Sequence, residues 1–481
     1  MSDAIVVGSG PNGLTAAAVL ARAGMAVTVY EAADTIGGGT RTSDLTGLGV
    51  LHDHCSAVHP MGAASPVFAS LDLAAHGLEW CAPEVDLAHP LDGGSAGILR
   101  RSIRETADGL GVDGRSWTRL LGGSARNFDR LNEDLGLPPA HVPRHPILLA
   151  RFGLPALAPA TLIAGRFKTP EARALFGGTA AHSLAPLTRP LSSAIAMALL
   201  AAGHRHGWPV ARGGSRAISD ALAAEITRHG GKIETGRRVT SLKELPGADA
   251  VILDLRPQGV VDIAGGRLPA HVRRAYERYK HGPAAFKIDL AVDGGVPWAN
   301  EGCRKAGTVH AVGSLDELVL AEKEVNEGRM PAKPCVLVAQ QYLADPSRSN
   351  GDVHPVWAYA HVPHGYDGDA TAVLLDQIER FAPGLRERIV GQVIRPASEF
   401  EAYNANYVGG DIVTGANTPR QLLARPRLTF NPYSTGIPGV FICSAAAPPG
   451  GGVHGLNGYN AARAVLRERE GPSPPVIPAL P

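Results

Sequence analysis

Ala4-Ile5-Val6-Val7, then Gly8-Ser9-Gly10-Pro11-Asn12-Gly13, then an alanine-rich stretch, then Ala26-Val27-Thr28-Val29-Tyr30-Glu31 follow one another at the start of the chain. That order predicts strand, glycine turn, helix, strand and acid, the arrangement that builds a dinucleotide site. Gly8 allows the tight turn, Gly10 lets backbone approach a pyrophosphate, and Gly13 lets the helix lie close on the strand. Pro11 and Asn12 open the helix. Its free N–H groups and the positive end of its dipole face the phosphates. Glu31, ending the second strand, is placed to accept hydrogen bonds from a ribose.

Two further glycine runs extend the reading. Ile36-Gly37-Gly38-Gly39-Thr40-Arg41-Thr42 adds a second glycine turn directly after the ribose acid. A simple nicotinamide dehydrogenase has no need of it. A flavin nucleotide lying extended across the protein needs both the backbone approach and the cation. Far downstream, 439–444 reads as a buried strand, followed by Gly450-Gly451-Gly452-Val453-His454-Gly455-Leu456-Asn457-Gly458-Tyr459-Asn460, which leads into a helix. Each glycine costs backbone entropy, and close approach to a flat ligand accounts for so many. Between these runs, the pattern predicts a helix over 218–228, short strands over 230–235 and 238–242, and a parallel strand over 249–254.

These motifs resemble the FAD-dependent family that includes the phytoene (carotenoid) desaturases and the pyridine nucleotide-disulfide oxidoreductase domain 2-like proteins, with the amine oxidases as more distant relatives. The run from Gly409-Gly410-Asp411-Ile412 to Gln421 and Arg425-Pro426 is similar to the carotenoid-desaturase-like branch. The resemblance covers the N-terminal third, the middle and the C-terminal fifth. It implies FAD, held by Gly8, Gly10, Pro11, Asn12, Gly13, Glu31, Gly38, Gly39, Arg41, Val239, Ser444, Gly452, Gly455 and Asn460. In that family the residue matching Val239 packs on the adenine side, while the bland reading is an ordinary strand valine. The implied fold is α/β: a Rossmann-type FAD-binding domain from 1–75, 205–265 and 410–470, interleaved with a mixed-sheet α+β substrate domain from 76–204 and 266–409. An extended proline-rich tail over 471–481 follows.

One β-α-β fingerprint and no second one imply hydride transfer at flavin N5 without a dedicated nicotinamide domain. The resemblance implies desaturation of a hydrophobic small molecule, with electrons passed to oxygen, a quinone or another acceptor. Amine oxidation, and saturation or double-bond isomerisation, remain open. So does a non-catalytic flavoprotein that uses FAD as a structural core for partner binding. His454, inside the closing glycine run, and His59 are the candidate catalytic residues, each against the plain reading of a structural hydrogen bond. Asp53 matches an acid that ends a strand. His52, His54 and His59 have no carboxylate or cysteine pattern beside them, so no metal site is expected.

Composition excludes several classes. Lys and Arg total 46 against 45 for Asp and Glu, which leaves no electrostatic footprint for nucleic acid. Five scattered cysteines without C-x-x-C fit a reducing cytoplasm, and a first strand directly at the start leaves no room for a signal peptide. The apolar segment 147–159 is broken by Arg151 and two prolines. It reads as a lid or channel wall, or as a peripheral membrane patch of the kind by which carotenoid-processing relatives collect substrate. Segment 194–202 reads as a core helix. Strands are expected over 284–293, 335–339 and 356–363, in a mixed or antiparallel sheet with helices on one side. A helix is expected over 371–381. Trp357, Tyr359 and Tyr403 either line a pocket or pack as ordinary strand residues. No oligomeric state follows from the sequence.

Overall fold

The computed structural model describes residues 3–470, so the expected tail over 471–481 lies outside the described residues. Strand β1 (Asp3–Val7) and β2 (Ala26–Tyr30) flank helix α1 (Pro11–Arg22), as the opening sequence requires. Val6 and Val29 are fully buried, and the strands read as apolar runs because both faces of the sheet are covered. On its two edges the pair recruits β5 (Lys232–Glu234) and β6 (Ala250–Leu253), and β12 (Val440–Ile442) completes an all-parallel sheet ordered β12-β6-β1-β2-β5.

One face of this sheet packs against α1, α5 (Arg216–Arg228) and α7 (Leu456–Glu470). The other packs against the segment running from Val239 to Tyr276. Two glycines set the spacing. A Cβ at Gly13 would lie 2.1 Å from the Gly8 carbonyl oxygen, and one at Gly458 would lie 1.9 Å from that of Asn12. Helix α1 therefore seats against its own turn and against α7 only because both positions lack a side chain.

The second sheet has seven strands. They are β3 (Val85–Pro90), β4 (Ala96–Leu99), β7 (Ala284–Asp293), β8 (Ala306–Ala311), β9 (Val336–Ala339), β10 (Val353–Val362) and β11 (Ile389–Arg395). The order is β11-β7-β10-β9-β8-β3-β4, antiparallel except where β8 runs parallel to β3. Its outer face packs on the helix Thr371–Glu379. The inner face meets α2 (Pro146–Ala156), α3 (Pro170–Ala181) and α4 (Ser193–His206). Helices thus cover both faces rather than one, because the inner face also roofs a cavity and needs an apolar floor opposite it.

One local reading changes. The strand expected over 238–242 is irregular backbone followed by a 3-10 turn (Leu242–Glu244). Gly236, at φ +68°, turns the chain away from the sheet, and the Glu244 side chain accepts from the Thr240 N–H. Segment 194–202 lies within α4 as a core helix: Ala196, Met197, Leu200, Ala201 and Ala202 are fully buried, while Ala194, Ala198 and Leu199 face the cavity. Asp53 ends the short strand His52–Asp53 and pairs with Arg348, which also meets Asp345 at 3.2 Å and the Ala211 carbonyl at 2.6 Å. These buried groups join the loops of one sheet to those of the other. We propose the two sheets as the cores of two interleaved units, with boundaries at the positions the motifs suggest.

Candidate active site

A cavity of about 1040 Å³ runs from the turn after β1 to the inner face of the seven-stranded sheet. At the β1 end its wall is backbone. Gly8 (φ +100°), Gly10, Pro11 and Asn12 line it, with the N-terminus of α1 directed at the space. Gly13 stands one step behind, donating its N–H to Asp254 Oδ2 at 3.0 Å. Burial pushes the Asp254 carboxyl up to about 7, and Glu31 nearby adds to this while the Gly13 N–H opposes it. Below that pH the acid beneath the turn is neutral and spares a phosphate at the helix end from repulsion.

Glu31 lines the same end. Its carboxylate accepts from the Ser9 N–H (2.8 Å) and hydroxyl (2.6 Å) and from the Ala33 N–H (2.8 Å), so it also braces the two loops that frame the groove. Gly38 (φ +54°) and Gly39 follow along the wall. A Cβ on Gly38 would lie 3.0 Å from the Gly10 Cα, and one on Gly39 would lie 2.2 Å from the Tyr407 hydroxyl. The two glycine turns therefore meet each other, which neither run shows alone. Arg41 also lines the cavity, steered by the Thr35 carbonyl at 2.7 Å and stacked 5.1 Å from the Tyr403 ring. Val239, Ser444, Gly452 and His454 complete the expected lining.

Three expected cofactor positions and one expected catalytic residue stand off the wall. Gly13 is the first, as above. Gly455 (φ +69°) is a packing position, where a Cβ would lie 2.5 Å from Thr15 Oγ1. Asn460 donates to the Gly136 carbonyl at 2.8 Å. His59 is fully enclosed, with Nε2 on Ser215 Oγ at 2.8 Å, and burial lowers its pKa to about 4. This corrects its reading as a base or substrate contact: Val58, Pro60 and Met61 form the wall in front of it. His454 is on the wall, but its Nδ1 accepts the Leu456 N–H at 3.2 Å, which caps the start of α7. Burial brings its pKa down to about 4, so it stands neutral. His52, His54 and His59 turn to three separate partners: the Leu290 carbonyl, Ser43 Oγ and Ser215 Oγ.

Trp357 and Tyr359 line the cavity at the sheet end, and Tyr403, at the end of the helix Ala397–Tyr403, lines it beside the second glycine turn, its hydroxyl donating to the Gly38 carbonyl at 2.6 Å; all three are pocket residues. Trp357 and Tyr359 meet edge to face at 4.9 Å. Beside them on the same face, Lys287 pairs with Asp289 and lies 5.8 Å from the Trp357 ring centroid. Sequence reasoning missed this buried pair because it sits within an otherwise apolar strand. It also missed 404–407. There Asn406 accepts the Arg256 N–H at 2.7 Å and donates to the Asp254 carbonyl at 3.0 Å, fixing the loop that carries Tyr407. The Asn-Ala-Asn-Tyr run was the available signal.

The donor set fits FAD: two glycine turns in mutual contact, an uncovered helix N-terminus, a bracing acid and an arginine line one continuous groove. A sequence profile of the flavin containing amine oxidoreductases matches residues 12–263. The chain belongs to that family. It is a flavin-dependent oxidoreductase with FAD as its cofactor. The chain is 25% identical to pyridine nucleotide-disulfide oxidoreductase domain-containing protein 2 of Rattus norvegicus, over 97% of this chain and 93% of that one. Among solved structures it is similar to putrescine oxidase bound to putrescine (TM-score 0.62, 18% identity, 97% and 99% of the two chains). It is also similar to a fatty acid isomerase from P. acnes that produces CLA (TM-score 0.57, 13% identity, 98% and 99%). At such identities these structures show the shared fold.

Proposed function

We propose that this flavin-dependent oxidoreductase dehydrogenates a neutral, hydrophobic small molecule at a C–C bond. The carrying observation is the far part of the cavity, walled by Leu149, Phe152, Ala156, Ile195, Leu199 and Leu337 with no acid free to meet an ammonium ion. Asp134 is the acid on that wall. It already accepts from the Arg144 and His145 N–H groups at 2.8 and 2.9 Å and bonds His141 at 3.1 Å. Glu31 and Asp254 sit at the opposite end, committed to the glycine turn. An apolar space of this kind favours an uncharged chain or ring, since an unpaired buried charge is costly.

Bound FAD supplies hydride-accepting chemistry. The chain's own residues do the rest. The glycine turns and the α1 N-terminus hold the dinucleotide, the apolar helices α2 and α4 exclude water, and Trp357 with Tyr359 gives the substrate a flat surface to pack on. The test is anaerobic exposure of the yellow protein to neutral unsaturated hydrocarbons and to alkylamines. Bleaching by the neutral compounds supports the reading. Bleaching by amines alone, with hydrogen peroxide released in air, supports amine oxidation instead.

A second feature supports peripheral contact with a lipid surface. On α2, Leu149, Phe152 and Ala156 face the cavity, while Ile147, Arg151 and Leu154 face out. Leu157 and Leu423 are both exposed and part of the lining, so they mark the mouth. Phe430, seven residues beyond Leu423, is 89% exposed. The segment 137–192 that carries α2 is basic, with Arg151, Arg166 and Arg189 among its cations and Glu171 its single acid. Exposed apolar side chains on a cation-rich segment suit an anionic bilayer surface. Among the described residues no helix is long and apolar enough to cross a membrane.

A further inference from the structure

On the inner face of the seven-stranded sheet, beside the cavity, three side chains meet that the reaction site does not use. The register of β9 and β10 sets Val336 against Ala360. Cys335, just before β9, therefore sits beside His361, whose N–H donates to the Cys335 carbonyl at 3.1 Å. Helix α6 (Leu315–Asn326) begins with a capping box, Ser314 with Glu317, and packs so that Glu322 meets both. Glu322 and His361 are fully buried and Cys335 is 1% exposed.

The hydrogen bonding among them is incomplete. His361 Nδ1 lies 2.6 Å from Glu322 Oε1, but Glu322 Oε2 and His361 Nε2 have no partner. Glu322 also meets the Cys335 thiol, and a fully buried carboxylate shared by an imidazole and a thiol, with one oxygen unpaired, is costly unless something compensates it. One potential ligand atom from each of Glu322, Cys335 and His361 falls within 4.8 Å of the other two.

We propose that Glu322, Cys335 and His361 hold one divalent, thiophilic metal ion, with Zn²⁺ the first choice, and that a water molecule completes the tetrahedron as the fourth ligand. The donor set of one thiolate sulfur, one imidazole nitrogen and one carboxylate oxygen suits zinc and is poor for Mg²⁺ or Ca²⁺. Charge balances: the thiolate and the carboxylate together neutralise the ion, leaving no net charge in the interior. Burial, with Glu322 adding to it, drives the Cys335 thiol pKa well up, so the uncharged thiol is the resting form without metal. Metal binding then forms the metal–sulfur bond and releases the thiol proton to solvent, with no change in oxidation state.

Zinc ligand bonds of roughly 2.0–2.3 Å set tetrahedral donors about 3.3 Å or more apart, so the Glu322 oxygen and His361 Nδ1, now 2.6 Å apart, must part to admit the ion. The ion would tie α6 to β9 and β10 beside Tyr359, whose ring lies 5.5 Å from that of His361 and which lines the cavity. Residues 322, 335 and 361 are too widely spaced to form a recognisable ligand motif, so the sequence gives no hint of them.

The FAD-loaded protein, prepared without a metal-affinity tag, is analysed for metal by mass spectrometry and then exchanged with Co²⁺. One zinc per chain is expected, together with a tetrahedral Co²⁺ band to the red of flavin absorption and a sulfur-to-cobalt charge-transfer band. Cys335→Ser should abolish the charge-transfer band. Glu322→Gln, which keeps the shape of the side chain and so favours folding, should lower metal content to background while FAD is retained. Wild-type protein that carries FAD yet takes up neither zinc nor tetrahedral cobalt would overturn the proposal, leaving a plain Glu322–His361 hydrogen bond. Undiminished metal in both variants would overturn it equally, by placing the ion elsewhere.

Discussion

The Gly13 N–H donates to Asp254 Oδ2 at 3.0 Å, tying the first turn of α1 to the end of the adjacent parallel strand β6. The bond joins residues 241 positions apart, and it sits directly beneath the groove that holds the dinucleotide. It makes the acid part of the turn's support, with consequences for pH.

The Asp254 carboxyl titrates at about 7 in the folded protein, against ~3.9 in an unfolded chain. Between those values the folded state keeps a proton that the unfolded state has released. Stability is therefore greatest below the unfolded value and falls as pH rises through about 7. Asp254→Asn should remove that slope. Its melting temperature relative to wild type should rise from pH 5 to pH 8, with a gain on the order of 2 kcal/mol at the alkaline end. Parallel melting curves across the range would show that Asp254 is not the titrating group.

Gly10→Val should yield folded but colourless protein. A Cβ there lies 2.7 Å from Asp254 Oδ2, so the turn that must approach the pyrophosphate has to shift to admit a side chain. Flavin absorbance per chain in the purified protein is the measurement. A normal yellow preparation would remove the turn from the cofactor site.

His59 and Tyr359 separate a supporting role from a wall role. His59→Ala should cost about 1–3 kcal/mol by leaving a cavity and removing one of the two partners of the Ser215 hydroxyl, which keeps its bond to the Ser56 carbonyl, while leaving FAD content unchanged and flavin bleaching by substrate within about threefold of wild type. Tyr359→Ala should keep FAD but slow bleaching by a much larger factor, since Tyr359 forms the cavity surface. Thermal melts with anaerobic stopped-flow records distinguish the two patterns.

Co-sedimentation with vesicles tests the rim. Binding should require anionic phospholipid, weaken as salt rises, and drop in Leu154→Glu and Phe430→Glu with FAD retained. Equal recovery with purely zwitterionic vesicles, or no recovery with either, would dismiss the lipid contact.

The sequence made the first sheet legible for a physical reason. Residues 4–7, 26–30 and 250–253 are apolar runs because helices and loops bury both their faces, and Gly8 and Gly38 mark real positive-φ turns. Alternation in 284–293 and 356–363 located strands correctly. It does not reveal that Trp357 and Tyr359 face a cavity, because a strand residue that lines a space and one that fills a core obey the same period of two. The irregular path over 238–242 was hidden because valine and threonine favour strands, whereas Gly236 and Glu244 decided the backbone. His59 shows the matching weakness for sites. Proximity to the Arg41 motif in sequence placed it near the cavity, but one layer too deep.

The most direct measurement is the anaerobic visible spectrum of the purified protein during titration with neutral unsaturated hydrophobic compounds, beside a matched series of alkylamines and NADPH. A flavin band that bleaches with a neutral compound, and yields a product with one more double bond, is the result this account predicts. A band untouched by every neutral compound but bleached by an amine would contradict it and make the chain an amine oxidase.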